Sequence, residues 1–288
     1  MCRLTGVSRA GFYRAWEEKT PEEAESELRA AVQRVVLAHR RRYGYRRVLR
    51  DLRDAGIRIG KHRLQRIMRE DNLLAIRHRK FILTTESQHE FSVYLNLAAR
   101  VNLTSINQVW VADITYIRLQ REFVYLAVVL DRFSRKTIGW ALDRTLASRL
   151  AMAALHKAIA TRNPQPGLVH HSDRGVQYAS ADYIQLLKAH GIIPSMSRPA
   201  NPYDNAACES FMKTLKQEEI YCNQYRDLDE LAAHLEEFID HYYNRLRLHS
   251  ALDYQTPEKF ESTCVIASIA QNAASMNFFT PAANPPKG

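Results

Sequence analysis

The sequence predicts an α/β protein: a mixed sheet flanked by helices, preceded by an all-α helix-turn-helix module. Three observations predict it. Val109 to Ile117 has two faces that are both mostly apolar, the pattern of a strand buried on each side. Short turns at Gln120-Arg121-Glu122 and at Asp131 to Arg135 separate that run from two more apolar runs, so three strands form an antiparallel meander. Upstream, residues 29 to 80 hold 17 Lys and Arg against 4 Asp and Glu, in helical segments broken by glycine.

Within the basic module, Glu22 to Arg42 reads as a helix, Tyr45 to Ala55 as a second after Gly44, and Lys61 to Asn72 as a third. The link Gly56-Ile57-Arg58-Ile59-Gly60 is short and contains glycine, the signature of a helix-turn-helix whose second helix enters the major groove of DNA. Lys61, His62, Arg63, Arg66 and Arg69 are then candidate DNA contacts, joined by Arg46 and Arg47 on the preceding helix. The competing reading is an arginine-rich face that is merely solvated. Leu4 to Tyr13 looks like the second half of another such motif, and Arg77 to Arg100 reads as a connection.

Downstream, Phe123 to Leu130 and Lys136 to Leu142 are the second and third strands. Ala147 to Ala160 has helical spacing, Gly167 to His171 is a short strand, Ala181 to His190 a helix and Ile192 to Met196 a strand. A last helix begins near Asn205, with Asp204 or Asn205 able to cap it. On that helix Ala207, Phe211 and Leu215 recur every four residues toward the core, while Glu209, Lys213 and Lys216 share another stripe. The expected organisation is a helical region over 1–80, a linker over 81–104, a catalytic core over 105–262 and a flexible tail over 263–288, where Pro281, Pro285 and Pro286 fall.

Three carboxylates interrupt segments otherwise built for burial: Asp113 on the first strand, Asp173 after the fourth, and Glu209 on the last helix, with 35 residues between the second and third. An unpaired buried carboxylate costs several kcal/mol unless a cation or donors compensate it, and no Lys or Arg lies within two positions of Asp113. Three such acids point to bound metal. Other chemistries are weaker. His170, His171 and Ser172 evoke a hydrolase triad, but strand neighbours point to opposite faces and no G-x-S-x-G elbow is present. Tyr243 with Arg245, Arg247 and His249 evokes a tyrosine recombinase, although the same cluster suits a helix end or a polar cap. Asp131 reads as a turn-forming residue.

Composition narrows the partners. The net charge of +10 favours a polyanion, and it is concentrated in the basic module, not around the acids. No stretch reaches the roughly 18 uninterrupted apolar residues of a membrane span, and the amino end lacks an apolar signal core. Cys2, Cys208, Cys222 and Cys264 form no CxxC pair with accompanying His, so a cytoplasmic, reduced protein without structural zinc is expected.

The order of strands and helices, with these acids in these places, resembles the ribonuclease-H-like core of retroviral integrases and DDE transposases. More closely, the chain resembles the OrfB product of bacterial insertion sequences of the IS-three type, through Trp110 to Tyr116, Asp131 to Arg135, His171 to Gln177, Asp204 to Lys216 and Tyr243-Asn244-Arg245…His249-Ser250-Ala251-Leu252…Pro257, over roughly residues 1 to 262. One departure is Ala200, where relatives commonly carry Gly. The resemblance implies a DNA transposase with Asp113, Asp173 and Glu209 as catalytic residues and ligands of two Mg2+ or Mn2+ ions. It also implies DNA partners (terminal inverted repeats and target), Lys213 and Lys216 near the DNA backbone, a homo-oligomer on DNA, an upstream OrfA product joined by translational frameshifting, and a bacterial, nucleoid-associated location. The alternative is an inactive relic that binds DNA.

Overall fold

A computed structural model describes residues 23–75, 94–197 and 205–276. Leu4 to Tyr13, the segment over 76–93, Ala200, Asp204 and the tail beyond 276 lie outside the described residues. The chain forms two compact units, residues 1–76 and 77–288.

The first unit contains α1 (Glu23–Ala38), α2 (Tyr45–Asp54) and α3 (Lys61–Glu70). Val32, Val36, Val48, Leu52, Leu64 and Ile67 form its core. Helix α1 stops short of Arg42 because Arg40 and Arg41 take positive φ, and Arg41 N–H closes on Val36 O at 2.9 Å. Gly56, at φ +79°, ends α2, and Ile57 N–H returns to Leu52 O at 2.8 Å. That is the glycine-terminated helix end which leads directly into the turn before α3. Asn72 ends α3 in the same way, with Leu73 N–H on Met68 O.

The second unit is built on β1 (Val109–Arg118), β2 (Phe123–Asp131), β3 (Thr137–Asp143), β4 (Val169–Ser172) and β5 (Ile193–Met196). Their order in the sheet is β3-β2-β1-β4-β5; the first three are antiparallel, and β4 and β5 run parallel to β1. The predicted meander and both later strands are present. Helices α4 (Ser148–Arg162), α5 (Val176–Ala179) and α6 (Ala181–Ala189) cover one face, packing Leu150, Ala154, Leu155, Ala158 and Tyr183 onto Trp110, Ala112, Ala127 and Val129. On the other face, α7 (Ala206–Glu218) packs against β1 and β2. The two-sided apolar pattern of β1 thus has a helix layer behind each face.

Beyond α7 come α8 (Leu228–Glu236), which continues as a π-helical segment Glu237–Leu246, and α9 (Pro257–Met276). Asp227 caps α8 by accepting Glu230 N–H at 2.9 Å. From the π-helical segment, the Asn244 amide accepts Thr137 N–H at 3.0 Å and donates to Thr137 O at 2.9 Å, standing in for a neighbouring strand at the sheet edge. Helix α9 is held by Phe260 against Phe133 and by Glu261, which pairs with Arg162 and Lys136. It carries regular structure to Met276, so the first half of the expected flexible tail is helical: the prolines that would stop it lie further on, at 281 and beyond.

Asp131 is confirmed as a turn former. Its buried carboxylate accepts N–H groups from Asn107, Phe133 and Ser134.

Gly139 explains how closely α4 approaches the sheet. A Cβ there would lie 2.3 Å from Ala154 O and 2.8 Å from Ala158 N, both backbone atoms that cannot turn aside. Gly139→Ala should therefore lower the unfolding free energy by about 1–3 kcal/mol, the usual range for overpacking, in urea unfolding of the full chain. An unchanged midpoint would show that the helix and sheet can separate freely.

Candidate active site

Strand β1 pairs with β2 along its whole length but with β4 only over Val109–Val111. At the next residue the Ala112 carbonyl accepts from Asn205 Nδ2 at 3.0 Å. A helix start, not a strand, closes the sheet edge beside Asp113. Asn205 is the N-cap residue of α7 as expected, yet its side chain makes no cap bond; its Nδ2 donates to β1 instead.

The parallel register sets Val111 opposite His171, so Asp113 and Asp173 each lie two residues further on, Asp113 midway along β1 and Asp173 just past the end of β4. The crevice beyond the carboxyl end of a parallel strand such as β4 is where open α/β sheets bind ligands. Asp113 Oδ1 accepts its own neighbour's N–H, from Ile114, at 2.9 Å, and Asp173 Oδ1 accepts Gly175 N–H at 2.9 Å. A Cβ at position 175 would stand 3.0 Å from that oxygen, so glycine leaves it room. Glu209 is in the first turn of α7, exposed, while Ala207, Phe211 and Leu215 on the same helix are buried as their spacing predicts.

Electrostatics ties the three acids together. Burial raises the Asp113 pKa, Asp173 raises it further, and Glu209 adds to the effect, against the Ile114 N–H and Lys216, so that it reaches about 7. The structure thus brings Asp113 and Asp173 into strong mutual influence, with Glu209 a weaker third. Among the described residues no three His, Cys, Asp or Glu side chains are gathered tightly enough to hold one metal ion. The donors are all hard carboxylate oxygens that repel one another, a set suited to Mg2+ or Mn2+.

Lys216 is half-buried, and its Nζ lies 5.3 Å from the Tyr116 ring centroid. Burial lowers its pKa while Asp113 opposes the fall. Glu218 and Glu219, the acids an ordinary surface lysine would pair with, are engaged elsewhere. Arg247 grips Glu218 at 2.7 and 2.9 Å, and Glu219 accepts from Asn223 at 2.8 Å and Tyr225 at 3.2 Å, with His234 Nδ1 at 3.0 Å. Lys213 is exposed on the same stripe.

The histidine pair is structural. His171 Nδ1 is 2.9 Å from Ser195 Oγ and its Nε2 is 3.0 Å from Ser197 Oγ. Ser195 Oγ already accepts Leu97 and Ala98 N–H groups, so its proton goes to Nδ1, and His171 is the tautomer that donates from Nε2. Ser197 in turn donates to Ser172 O, and Arg174 donates to Ser197 O, which anchors the chain on both sides of Asp173. His170 points the other way, with Nε2 3.1 Å from the Tyr183 hydroxyl, and burial followed by His171 depresses its pKa to about 3. Tyr243 is buried edge-on to Phe211 and His249, and burial pushes its pKa up to about 12, which is no position for a nucleophile. Sequence reasoning missed Asn205, Ser195 and Ser197 as site supports, since each acts on a residue far away in the chain.

In the helical unit the candidate DNA contacts separate into three groups. Arg63 donates to Glu25 at 2.6 Å, and Arg66 lies 3.8 Å from Glu25 and 3.7 Å from Glu70, so both lean toward neighbouring acids. Lys61 and Arg46 instead flank the Tyr45 ring, each 5.7 Å from its centroid, and Arg47 lies over Tyr43 at 5.5 Å. His62 and Arg69 are exposed. Neither the aromatic between two cations, which brings Lys61 to Tyr45, nor the Glu25 pairing, 38 residues from Arg63, was legible in the sequence.

Sheet order, the parallel fourth and fifth strands and the acid-bearing α7 define a ribonuclease-H-like core. Two family models described as integrase core domains match residues 104–202 and 190–257, and an HTH-like domain model matches residues 22–81. The chain is 37% identical over 264 residues to the insertion element IS600 uncharacterized 31 kDa protein of Shigella sonnei, covering 90% of this chain and 97% of that one. It is 36% identical over 267 residues to the transposase InsF for insertion sequence IS3A of Escherichia coli (strain K12), covering 91% and 93%. A simian T-cell lymphotropic virus intasome structure aligns with TM-score 0.47 and 17% identity, over 90% of this chain and 78% of that one. The chain belongs to the IS3-type family of insertion-sequence transposases with an integrase core domain.

The raised Asp113 pKa has a stability consequence. The folded value, about 7, exceeds the ordinary carboxylate value, so the native state holds a proton the unfolded chain has lost, and stability falls as pH rises from about 4 to 7. In chelator-treated protein, Asp113→Asn should therefore raise the unfolding free energy at pH 8 by on the order of 2 kcal/mol and change it little at pH 4. Equal effects at both pH values, in paired denaturant titrations, would contradict the crowding of the acids.

Proposed function

We propose that this chain is a transposase that cuts and joins DNA strands at the ends of an insertion element, with Asp113, Asp173 and Glu209 as its catalytic carboxylates. The observation that carries the reading is the pair of aspartates just beyond the stretch where parallel β1 and β4 pair, Asp113 midway along β1 and Asp173 directly after β4, with the Glu209 charge felt at Asp113. Family membership supports DNA transposition as the activity.

The three carboxylates would hold two Mg2+ or Mn2+ ions, which when bound activate an attacking oxygen and stabilise the leaving one in an in-line displacement. The chain's own groups prepare that step. Asp113 would hold an ion as the charged carboxylate, the form that Lys216 favours. The Asn205 bond to Ala112 O fixes the start of α7 against β1, and with it the helix that carries Glu209 in its first turn. Lys216 and Lys213 neutralise the DNA backbone beside the scissile phosphate. Water as nucleophile nicks the element's end, and the freed 3′ hydroxyl joins it to another strand, first circularising the element and then inserting it. No covalent protein intermediate is required.

The partners that follow are the terminal inverted repeats and target DNA, with the helical unit binding the repeats. A homo-oligomer on DNA, cooperation with an upstream OrfA product, and a cytoplasmic, nucleoid-associated location belong to the same reading. Among the described residues no helix is long and apolar enough to cross a membrane. The expected partition into a helical region over 1–80, a linker, a core over 105–262 and a tail is proposed on the same basis.

Asp113→Asn, Asp173→Asn and Glu209→Gln should each abolish metal-dependent nicking of a duplex bearing the element's end, while affinity for that duplex stays within about threefold, under 1 kcal/mol. Tyr243→Phe should keep wild-type nicking. Cleavage surviving in an acid variant, or lost only with Tyr243, would overturn the assignment.

Lys216→Ala should reduce cleavage and joining more than about tenfold at physiological salt, while unfolding free energy shifts by less than about 1 kcal/mol. Joining at the wild-type rate would leave Lys216 as a structural neighbour of Tyr116 only.

A further inference from the structure

The face of the β1–β2 hairpin that α4 covers at Trp110 and Ala112 is bare at its far end. Along that face of β1, burial gives way to exposure from Ala112 through Ile114 to Tyr116 and Arg118. Tyr116 is 37% exposed and Phe123 50%, large values for rings on an otherwise packed sheet. The two rings meet edge to face at 5.9 Å, and Arg118, the cross-strand partner of Phe123, places its guanidinium 5.6 Å from the Phe123 centroid. On the other side stands Lys216 Nζ, 5.3 Å from the Tyr116 centroid. Tyr221, on the 3-10 turn Ile220–Cys222 after α7, is a third exposed ring.

Aromatic surface bracketed by two cations has a specific chemical partner. A plain apolar patch would suit another protein surface, but an ammonium and a guanidinium at its borders call for anions between apolar planes. Single-stranded nucleic acid offers that alternation, bases to stack and phosphates to pair, whereas an intact duplex hides its base faces. Position agrees, because Lys216 is shared: it borders the rings and stands on α7, two helical turns from Glu209.

We infer that Tyr116 and Phe123 form a stacking platform for unpaired nucleotides of the DNA strand whose backbone passes Lys216 to the carboxylates. The inference rests on the proposed DNA-cleaving function and deepens it: the chain would favour ends that are frayed or carry a single-stranded tail over blunt ones. The bland alternative is that the rings only cover the hairpin as a diagonal cross-strand pair, worth a fraction of a kcal/mol to the fold.

The test uses the full chain and two oligonucleotides carrying the same element end, one blunt and one with a short unpaired tail labelled with 2-aminopurine. Wild type should prefer the tailed end and quench the probe. Phe123→Ala and the bulk-preserving Phe123→Leu should each weaken binding to the tailed end about tenfold, leave blunt-end binding within about twofold and lose the quenching, with Phe123→Trp restoring both. Phe123→Leu guards against a folding defect, and its melting temperature should match wild type. Binding of both ends without preference, or equal losses on both in the variants, would overturn the platform alone. A protein-concentration-dependent dimer that Phe123→Leu dissolves would assign the patch to a second copy of the chain and overturn it too. Failure of the wild type to bind either oligonucleotide would overturn both the platform and the function beneath it.

Discussion

Strand β1 loses its β4 partner after Val111, and the arrangement of the site depends on how that gap is closed. A sheet edge with unpaired carbonyls in the protein interior is costly unless donors reach it. Here the donor is the Asn205 amide at the N-cap of α7, so one hydrogen bond satisfies the Ala112 carbonyl and ties down the helix that bears Glu209. Because β4 is also short, Asp173 follows immediately beyond its end, beside Asp113. Had β4 continued for another few residues, Asp173 would have lain within a strand paired to β1 and not in the turn that follows it.

Three acids supplied by separate elements need rigid support, and it comes from hydrogen-bonded polar groups around them. Asp173 is steadied through the His171, Ser195 and Ser197 network and by Arg174 on the Ser197 carbonyl. The far end of α7 is held by the nearly buried Arg247 clasping Glu218. Such a pair adds little net stability over apolar packing, but removing one partner strands a charge, so it favours a single docking of the helix. The motif Tyr243-Asn244-Arg245-Leu246-Arg247 therefore works as scaffolding: Tyr243 packs under α7, Asn244 closes the β3 edge and Arg247 holds Glu218.

Much of this was legible in the sequence because the strongest signals are periodic. The two-faced apolar strand, the two short turns and the four-residue spacing of Ala207, Phe211 and Leu215 each have a local cause, and the observed elements match them within a few residues. The glycine at Gly56 marked the turn between α2 and α3 for the same reason. What was not legible depends on distant partners. Glu25 drawing Arg63 and Arg66 aside, Asn205 turning from its helix to β1, and the π-helical continuation of α8 leave no local pattern. Placing the acids was possible because each interrupts an apolar run; how nearly they close on one another depends on side-chain reach, which spacing does not encode.

The central claim is that Asp113, Asp173 and Glu209 together form a metal-binding centre. Anomalous diffraction from crystals soaked in Mn2+ tests it most directly. The account predicts manganese between Asp113 and Asp173, with Glu209 turned inward to complete the coordination, and a second ion roughly 3.5 to 4 Å away when DNA is present. Manganese bound elsewhere, or a site that fills equally well in Asp173→Asn, would contradict it.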